Sequence, residues 1–169
     1  EMLGLLRLAT EADDGPWSVR WPRAAVPEEV PHLSEVPEIS PHTWEVLRNG
    51  GDCVLLATGT MVLSSMAAAE ELDAEGIHCT VVNCRFLKPY DRTVFEEMVR
   101  SHPTVITLEE GQVSNGFGAY MAREIADLEL ETFPRIGTLG VPDRFIQHGG
   151  REELLVEIGE TNLLYESRH

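Results

Sequence analysis

The stretch LEEGQVSNGFGAYMAREI, residues 108–125, sets two adjacent carboxylates, Glu109 and Glu110, ahead of a loop with glycines at 111, 116 and 118 and a helical pattern. A strand, a Gly-rich turn and a helix N-terminus together form the usual anion cradle, because free backbone N–H groups and the helix dipole both favour negative charge. The residue types here argue against a nucleotide. A P-loop places a Lys after its glycines, and a dinucleotide site needs G-x-G-x-x-G followed about 20 residues later by an acid. Neither pattern is met, and two carboxylates would repel a phosphate. Tight helix packing accounts better for Gly116 and Gly118. Glu109 and Glu110 either line a crevice at the C-terminal end of a strand, where α/β ligands bind, or cap the next helix and face solvent.

Three further stretches hold reactive or charged groups. In RFLKPYD, residues 85–91, Asp91 suits the N-cap of a following helix. Arg85 and Lys88 are expected to pair with Glu109 and Glu110 across neighbouring strand ends, the alternative being an anion site. LGVPDRFIQHGG, residues 139–150, is an irregular loop carrying Asp143, Arg144 and His148. A lone loop His is more often a hydrogen-bonded structural group than a catalyst. There is no H-E-x-x-H, no C-x-x-C and no second His at ligand spacing, so no metal site is expected. In VRWPRA, residues 19–24, Arg20 and Arg23 flank a Trp-Pro pair that stiffens a turn. A guanidinium held there can grip a phosphate or carboxylate in bidentate fashion, or it can fasten a linker to an acidic surface. These two arginines are the candidate binding residues, and no catalytic residue is assigned.

The elements that must position these groups alternate regularly from residue 44 onward. CVLLAT, IHCTVVN, TVITLE and FPRIGT read as strands; MVLSSMAAAEELDAEG ending at Gly76, DRTVFEEMVRSH, GFGAYMAREIADLEL and REELLVEIG read as helices. Such alternation implies right-handed crossovers and a three-layer α/β domain with a mostly parallel sheet. Residues 22–43 hold Pro22, Pro27, Pro31, Pro37 and Pro41 with acids between them, which suits an extended linker. Residues 1–21, a helical pattern and a lone strand WSVRW, cannot bury their own apolar faces and read as the tail of a preceding domain.

A formal net charge of −16, from 29 acidic against 13 basic residues, would repel a nucleic acid or an anionic membrane. No apolar run approaches the ~20 residues of a membrane span, and no secretory leader is visible. Cys53, Cys79 and Cys84 are odd in number and lack C-x-x-C spacing, which fits reduced thiols and a cytoplasmic protein.

In this order, RWPRA, CRFLKPYD, VITLEEGQVSNGFGA and GVPDRFIQHGGREELLVEIG resemble the C-terminal part of the 1-deoxy-D-xylulose-5-phosphate synthase family, within the transketolase superfamily. The resemblance covers essentially the whole chain. The last stretch separates this family from transketolase and from the β subunits of 2-oxo-acid dehydrogenases. It implies that residues 1–21 end a pyrimidine-binding domain, 22–43 are the linker and 44–169 form a transketolase C-terminal-like domain. Family enzymes are homodimers that condense pyruvate with glyceraldehyde 3-phosphate, releasing CO2, on the way to isoprenoid precursors. They use thiamine diphosphate and Mg2+, whose ligands lie upstream of the matching region. The resemblance therefore implies no cofactor-binding, metal or catalytic residue in this chain, and inactivity without the remaining domains. The family's Arg-Tyr-Pro-Arg-Gly binds the substrate phosphate through its second Arg, which aligns with Arg23; Arg20 stands behind it as the second candidate. Trp21 keeps an aromatic, whereas Ala24 replaces a Gly and alters the turn. The opening on Glu1 in mid-pattern also suits a fragment. The alternative is a noncatalytic assembly domain, or the C-terminal domain of a 2-oxo-acid dehydrogenase β subunit.

Overall fold

The computed structural model describes residues 1–13, 15–21 and 38–158. Arg23 and most of the expected linker lie outside the described residues. The chain divides into two compact units, Glu1–Thr43 and Trp44–His169.

In the first unit, α1 (Met2–Glu11) ends where Ala12 turns extended and donates its N–H to the Leu8 carbonyl at 3.0 Å. Only Gly4 of this helix is buried. Residues 17–21 are not a strand, contrary to the expectation from WSVRW. A segment becomes a strand only when a neighbour completes its ladder, and no described segment does so here. Trp17 instead stacks on His42, with ring centroids 6.0 Å apart.

The second unit is built on one five-stranded sheet in the order β1-β3-β2-β4-β5. Its strands are β1 (Glu45–Arg48), β2 (Cys53–Ala57), β3 (Cys79–Asn83), β4 (Thr104–Gln112) and β5 (Arg135–Val141). All neighbours are parallel except β1, which runs antiparallel to β3. Every residue of β2 and β3 is buried, as expected of central strands covered on both faces. The period of two divides their side chains. Cys53, Leu55, Ala57, Cys79, Val81 and Leu108 pack under α2 (Met61–Ala74) with Met61, Val62 and Ala69. On the opposite face lie α3 (Arg92–Ser101) and α4 (Phe117–Ala126), whose Phe95 and Phe117 both meet Trp44 edge-on at about 6 Å. A last helix, α5 (Arg151–Glu157), follows the loop after β5.

Local signals explain the helix ends. Gly76 takes φ +82, and the N–H groups of Gly76 and Ile77 reach the carbonyls of Asp73 and Leu72, each at 3.0 Å, closing α2 with paired bonds. Asp91 caps α3 as expected, accepting the Val94 N–H at 3.1 Å. Its second oxygen accepts the Trp44 N–H at 3.0 Å, which ties the first residue of the unit to the start of α3.

Two further strand expectations change. β1 escapes sequence detection because it is four residues long and largely exposed, with no buried alternation to mark it. β4 continues past Glu109 to Gln112, because β5 extends to Val141 and supplies the partner.

Candidate functional site

The C-terminal ends of the parallel strands gather most of the charged groups singled out in the sequence. Along β4 and β5 the pairing is regular to Leu108↔Leu139 and resumes at Gln112↔Val141. Residues 109–111 therefore face Gly140 alone, and the strand bulges there. The bulge carries Glu109, only 5% exposed, beneath the start of α4.

There its carboxylate spans two free donors of the helix: Phe117 N–H gives to Oε2 and Gly118 N–H to Oε1, each at 2.7 Å. The glycines make room for it. A methyl group on Gly111 or Gly116 would collide with the Glu109 carboxylate, and one on Gly140 would sit 3.1 Å from Glu109 Cγ. Gly118 serves a different contact, since a Cβ there would fall within 3.0 Å of Thr107 and Thr138 on the sheet. The expectation of tight packing thus holds for both Gly116 and Gly118. The cradle-like sequence has a physical reason too: an anion does sit at the helix N-terminus, and it is the chain's own carboxylate.

Glu110 points into a second network. Arg151 Nε donates to its Oε2 at 3.3 Å while Nη2 donates to Oε1, so the guanidinium grips the carboxylate with two bonds. Thr60, just before α2, donates its hydroxyl to Glu110 Oε1 and accepts from Arg151 Nη2 at 3.2 Å. These bonds fasten α5 to the top of β4 and to the start of α2. Neither Thr60 nor Arg151 stood out in the sequence. Only the adjacency of the β2 and β4 ends brings residues 60 and 110 together. The expectation that these acids cap the helix and face solvent is therefore half right: Glu109 caps, but from a buried position, and Glu110 is engaged by an arginine.

Among the described contacts Arg85 does not pair with Glu109 or Glu110. It pairs with Glu45 at 3.3 Å. The cause is strand order: β2 lies between β3 and β4, while β1 lies on the other side of β3 with Glu45 opposite Asn83. Lys88 is exposed and makes no ion pair among those described. In the loop after β5, Asp143 accepts from Gln112 Nε2 at 2.6 Å, Arg144 reaches Glu157 at 3.4 Å, and His148 is exposed. Arg20 is exposed in the non-helical segment of the first unit.

Nearby, Tyr90 donates its hydroxyl to Glu124 at 2.7 Å. Partial burial, then this bond to a carboxylate, push its phenol up to about 12.

A diphosphate does not fit the α4 loop. The two N–H groups that would receive it are spent on Glu109, and the glycines that would admit it are packed against the same side chain. Among the described residues no three His, Cys, Asp or Glu side chains are grouped to hold a metal ion. No described helix is long and apolar enough to cross a membrane.

Comparison with known proteins matches residues 42–162 to the family described as "Transketolase, C-terminal domain". A 1-deoxy-D-xylulose-5-phosphate synthase from Geobacillus thermodenitrificans is 42% identical over 153 residues, covering 90% of this chain and 24% of the relative. The synthase of the same name from Bacillus licheniformis is 40% identical over 157 residues, covering 93% and 24% respectively. The chain thus spans about a quarter of the length of the curated relatives it matches. Among solved structures, one described as "Split gene transketolase, inactive beta4 tetramer" is 30% identical with a TM-score of 0.80, covering 96% of this chain and 53% of that one.

Proposed function

The chain belongs to the transketolase C-terminal domain family, and from that premise we propose that it is the C-terminal portion of an enzyme making 1-deoxy-D-xylulose 5-phosphate. The whole enzyme condenses pyruvate with glyceraldehyde 3-phosphate and releases CO2, as a cytoplasmic homodimer using thiamine diphosphate and Mg2+. The observation that carries this reading is the near-complete coverage of the chain by synthases of that name. Those relatives are synthases, not dehydrogenase β subunits, which favours the transferase over the alternative.

In this reading residues 1–21 end the preceding pyrimidine-binding domain, 22–43 link it to the C-terminal domain, and the cofactor and metal ligands lie in the upstream domains. The cofactor, when bound there, supplies the carbanion chemistry. This chain's contribution to substrate binding is Arg23, whose guanidinium holds the phosphate of glyceraldehyde 3-phosphate. Arg20, two residues before the intervening Pro22, is a weaker candidate for the same anion. Glu109 and Glu110 are both committed to bonds inside the domain, which suits a part that builds the protein and does not do its chemistry. The word "inactive" in the description of the split-gene relative agrees with a piece that needs its missing domains.

Arg23→Ala in the full-length enzyme tests the reading. A charge-assisted bond to phosphate contributes about 1.5–3 kcal/mol, or roughly 10- to 150-fold in kcat/KM. The expected result is a loss of that size for glyceraldehyde 3-phosphate, a much smaller loss for unphosphorylated glyceraldehyde, and an unchanged pyruvate KM. Arg20→Ala, at the second candidate, is expected to lose less than Arg23→Ala with the phosphorylated aldehyde. Equal losses with both aldehydes would mean that Arg23 only braces the turn. Calorimetric titration of the 169-residue chain with thiamine diphosphate and Mg2+ should give no binding heat; micromolar affinity would overturn the placement of the cofactor site.

A further inference from the structure

We propose that Cys53 and Cys79 form a dithiol modification site, at which a hydroperoxide closes a disulfide between β2 and β3. The two residues open neighbouring parallel strands and are in register. Parallel neighbours at that position stand ~4.8 Å apart at Cα, inside the ~4.4–6.8 Å window that a disulfide spans. Their side chains already face each other, with Sγ atoms 2.9 Å apart and both thiols free. The residues immediately before them hold the strand entries together. Asp52 N–H donates to the His78 carbonyl at 3.0 Å, and His78 N–H donates to Asp52 Oδ2 at 2.7 Å. Cys84, fully buried beyond the other end of β3, sits five residues away and has no thiol beside it among the described residues.

Accessibility sets the order of events. Cys53 is 7% exposed and Cys79 is sealed, so the oxidant meets Cys53 first. The Cys53 sulfur attacks the O–O bond of the hydroperoxide, giving a sulfenic acid and releasing an alcohol, or water from H2O2. The Cys79 sulfur then attacks the sulfenic sulfur, the S–O bond breaks, and water leaves with the thiol proton. Two thiols lose two electrons and the hydroperoxide gains them. The surroundings favour the second step over further oxidation. Both sulfurs lie in the apolar cluster under α2, where a sulfinic acid would be a buried charge without a partner and a disulfide is apolar. Burial, ahead of the hydrogen bond to Cys79, pushes the Cys53 thiol up to about 12, so thiolate is scarce at neutral pH and the reaction is slow.

The test treats the reduced 169-residue chain with hydrogen peroxide at pH 8, with a urea-unfolded sample alongside to show that the oxidant is active. Remaining thiols are alkylated in denaturant. All three cysteines fall within one tryptic peptide, so digestion after glutamate separates Cys53 from the others, and fragment spectra distinguish Cys79 from Cys84. The expected product is a Cys53–Cys79 link, two hydrogens lighter than the dithiol and reversed by dithiothreitol, with Cys84 alkylated. In Cys79→Ala, Cys53 should stop at a sulfenic acid that dimedone traps. Untouched thiols in the folded chain would overturn the proposal. So would Cys53 carried to sulfinic or sulfonic acid with Cys79 still a thiol, or a link involving Cys84.

Discussion

Replacing Glu109 with glutamine puts a donor where α4 needs an acceptor, and the cost can be worked from the geometry. The wild-type carboxylate accepts the Phe117 and Gly118 N–H groups at 2.7 Å through separate oxygens, in a buried position. Each is a charge-assisted bond of about 1.5–3 kcal/mol. The glutamine oxygen can keep one of them at the neutral value of about 0.5–1.5 kcal/mol, while its NH2 faces the other N–H. That backbone donor is then buried without an acceptor, at about 1–3 kcal/mol. Loss of the negative charge at a helix N-terminus adds roughly 0.3–1 kcal/mol. Because these terms overlap, a net loss of about 2–5 kcal/mol is expected. Urea unfolding of the 169-residue chain, followed by far-UV circular dichroism, should show a lower midpoint with an unchanged slope. A companion variant separates the bond from packing. Glu109→Ala vacates the anion position, so millimolar phosphate should raise its midpoint above a chloride control of equal ionic strength, and should do nothing similar for the wild type. A glutamine variant within about 1 kcal/mol of wild type, or an alanine variant indifferent to phosphate, would refute the assignment of Glu109 as the anion of this helix.

Gly118→Ala should cost about 1–3 kcal/mol in the same urea assay, because the added methyl meets Thr107 and Thr138 on the packed sheet face. Gly76→Ala should cost about 1–2 kcal/mol through strain alone, since φ is +82 and nothing lies within 4 Å of the new methyl. Tyr90 gives a pH dependence of defined sign. Its folded phenol is raised from 10.0 to about 12, so its contribution is complete below pH 10 and is lost as pH rises through 12. Wild type should therefore lose more stability than Tyr90→Phe between those two values, and parallel curves would show that the Glu124 contact does not set the titration.

Local signals were enough for the kind of fold. The run CVLLA is apolar throughout and CTVVN is rich in β-branched residues, as strands covered on both faces need, and a helical pattern separates them. Asp91 and Gly76 mark helix ends from within a few residues of sequence, because capping bonds are made by the nearest backbone groups. The glycines at 116 and 118, with two acids and no lysine nearby, were also enough to argue against a nucleotide.

Tertiary structure decided everything that depends on which strands are neighbours. EVLR is an edge strand only because β3 offers its free side, and nothing in four mostly exposed residues announces that. Arg85 takes Glu45 and not Glu109 because β2 lies between β3 and β4. Thr60, Glu110 and Arg151 meet across 91 residues of sequence, and Cys53 meets Cys79 across 26, through register alone. The buried seat of Glu109 rests on a bulge that exists only where β4 and β5 resume pairing. Side-chain periodicity is a property of one segment, whereas strand order and register follow from packing both faces of the whole sheet at once. That is why residue types could propose the elements of this chain, and only the assembled sheet could assign their partners.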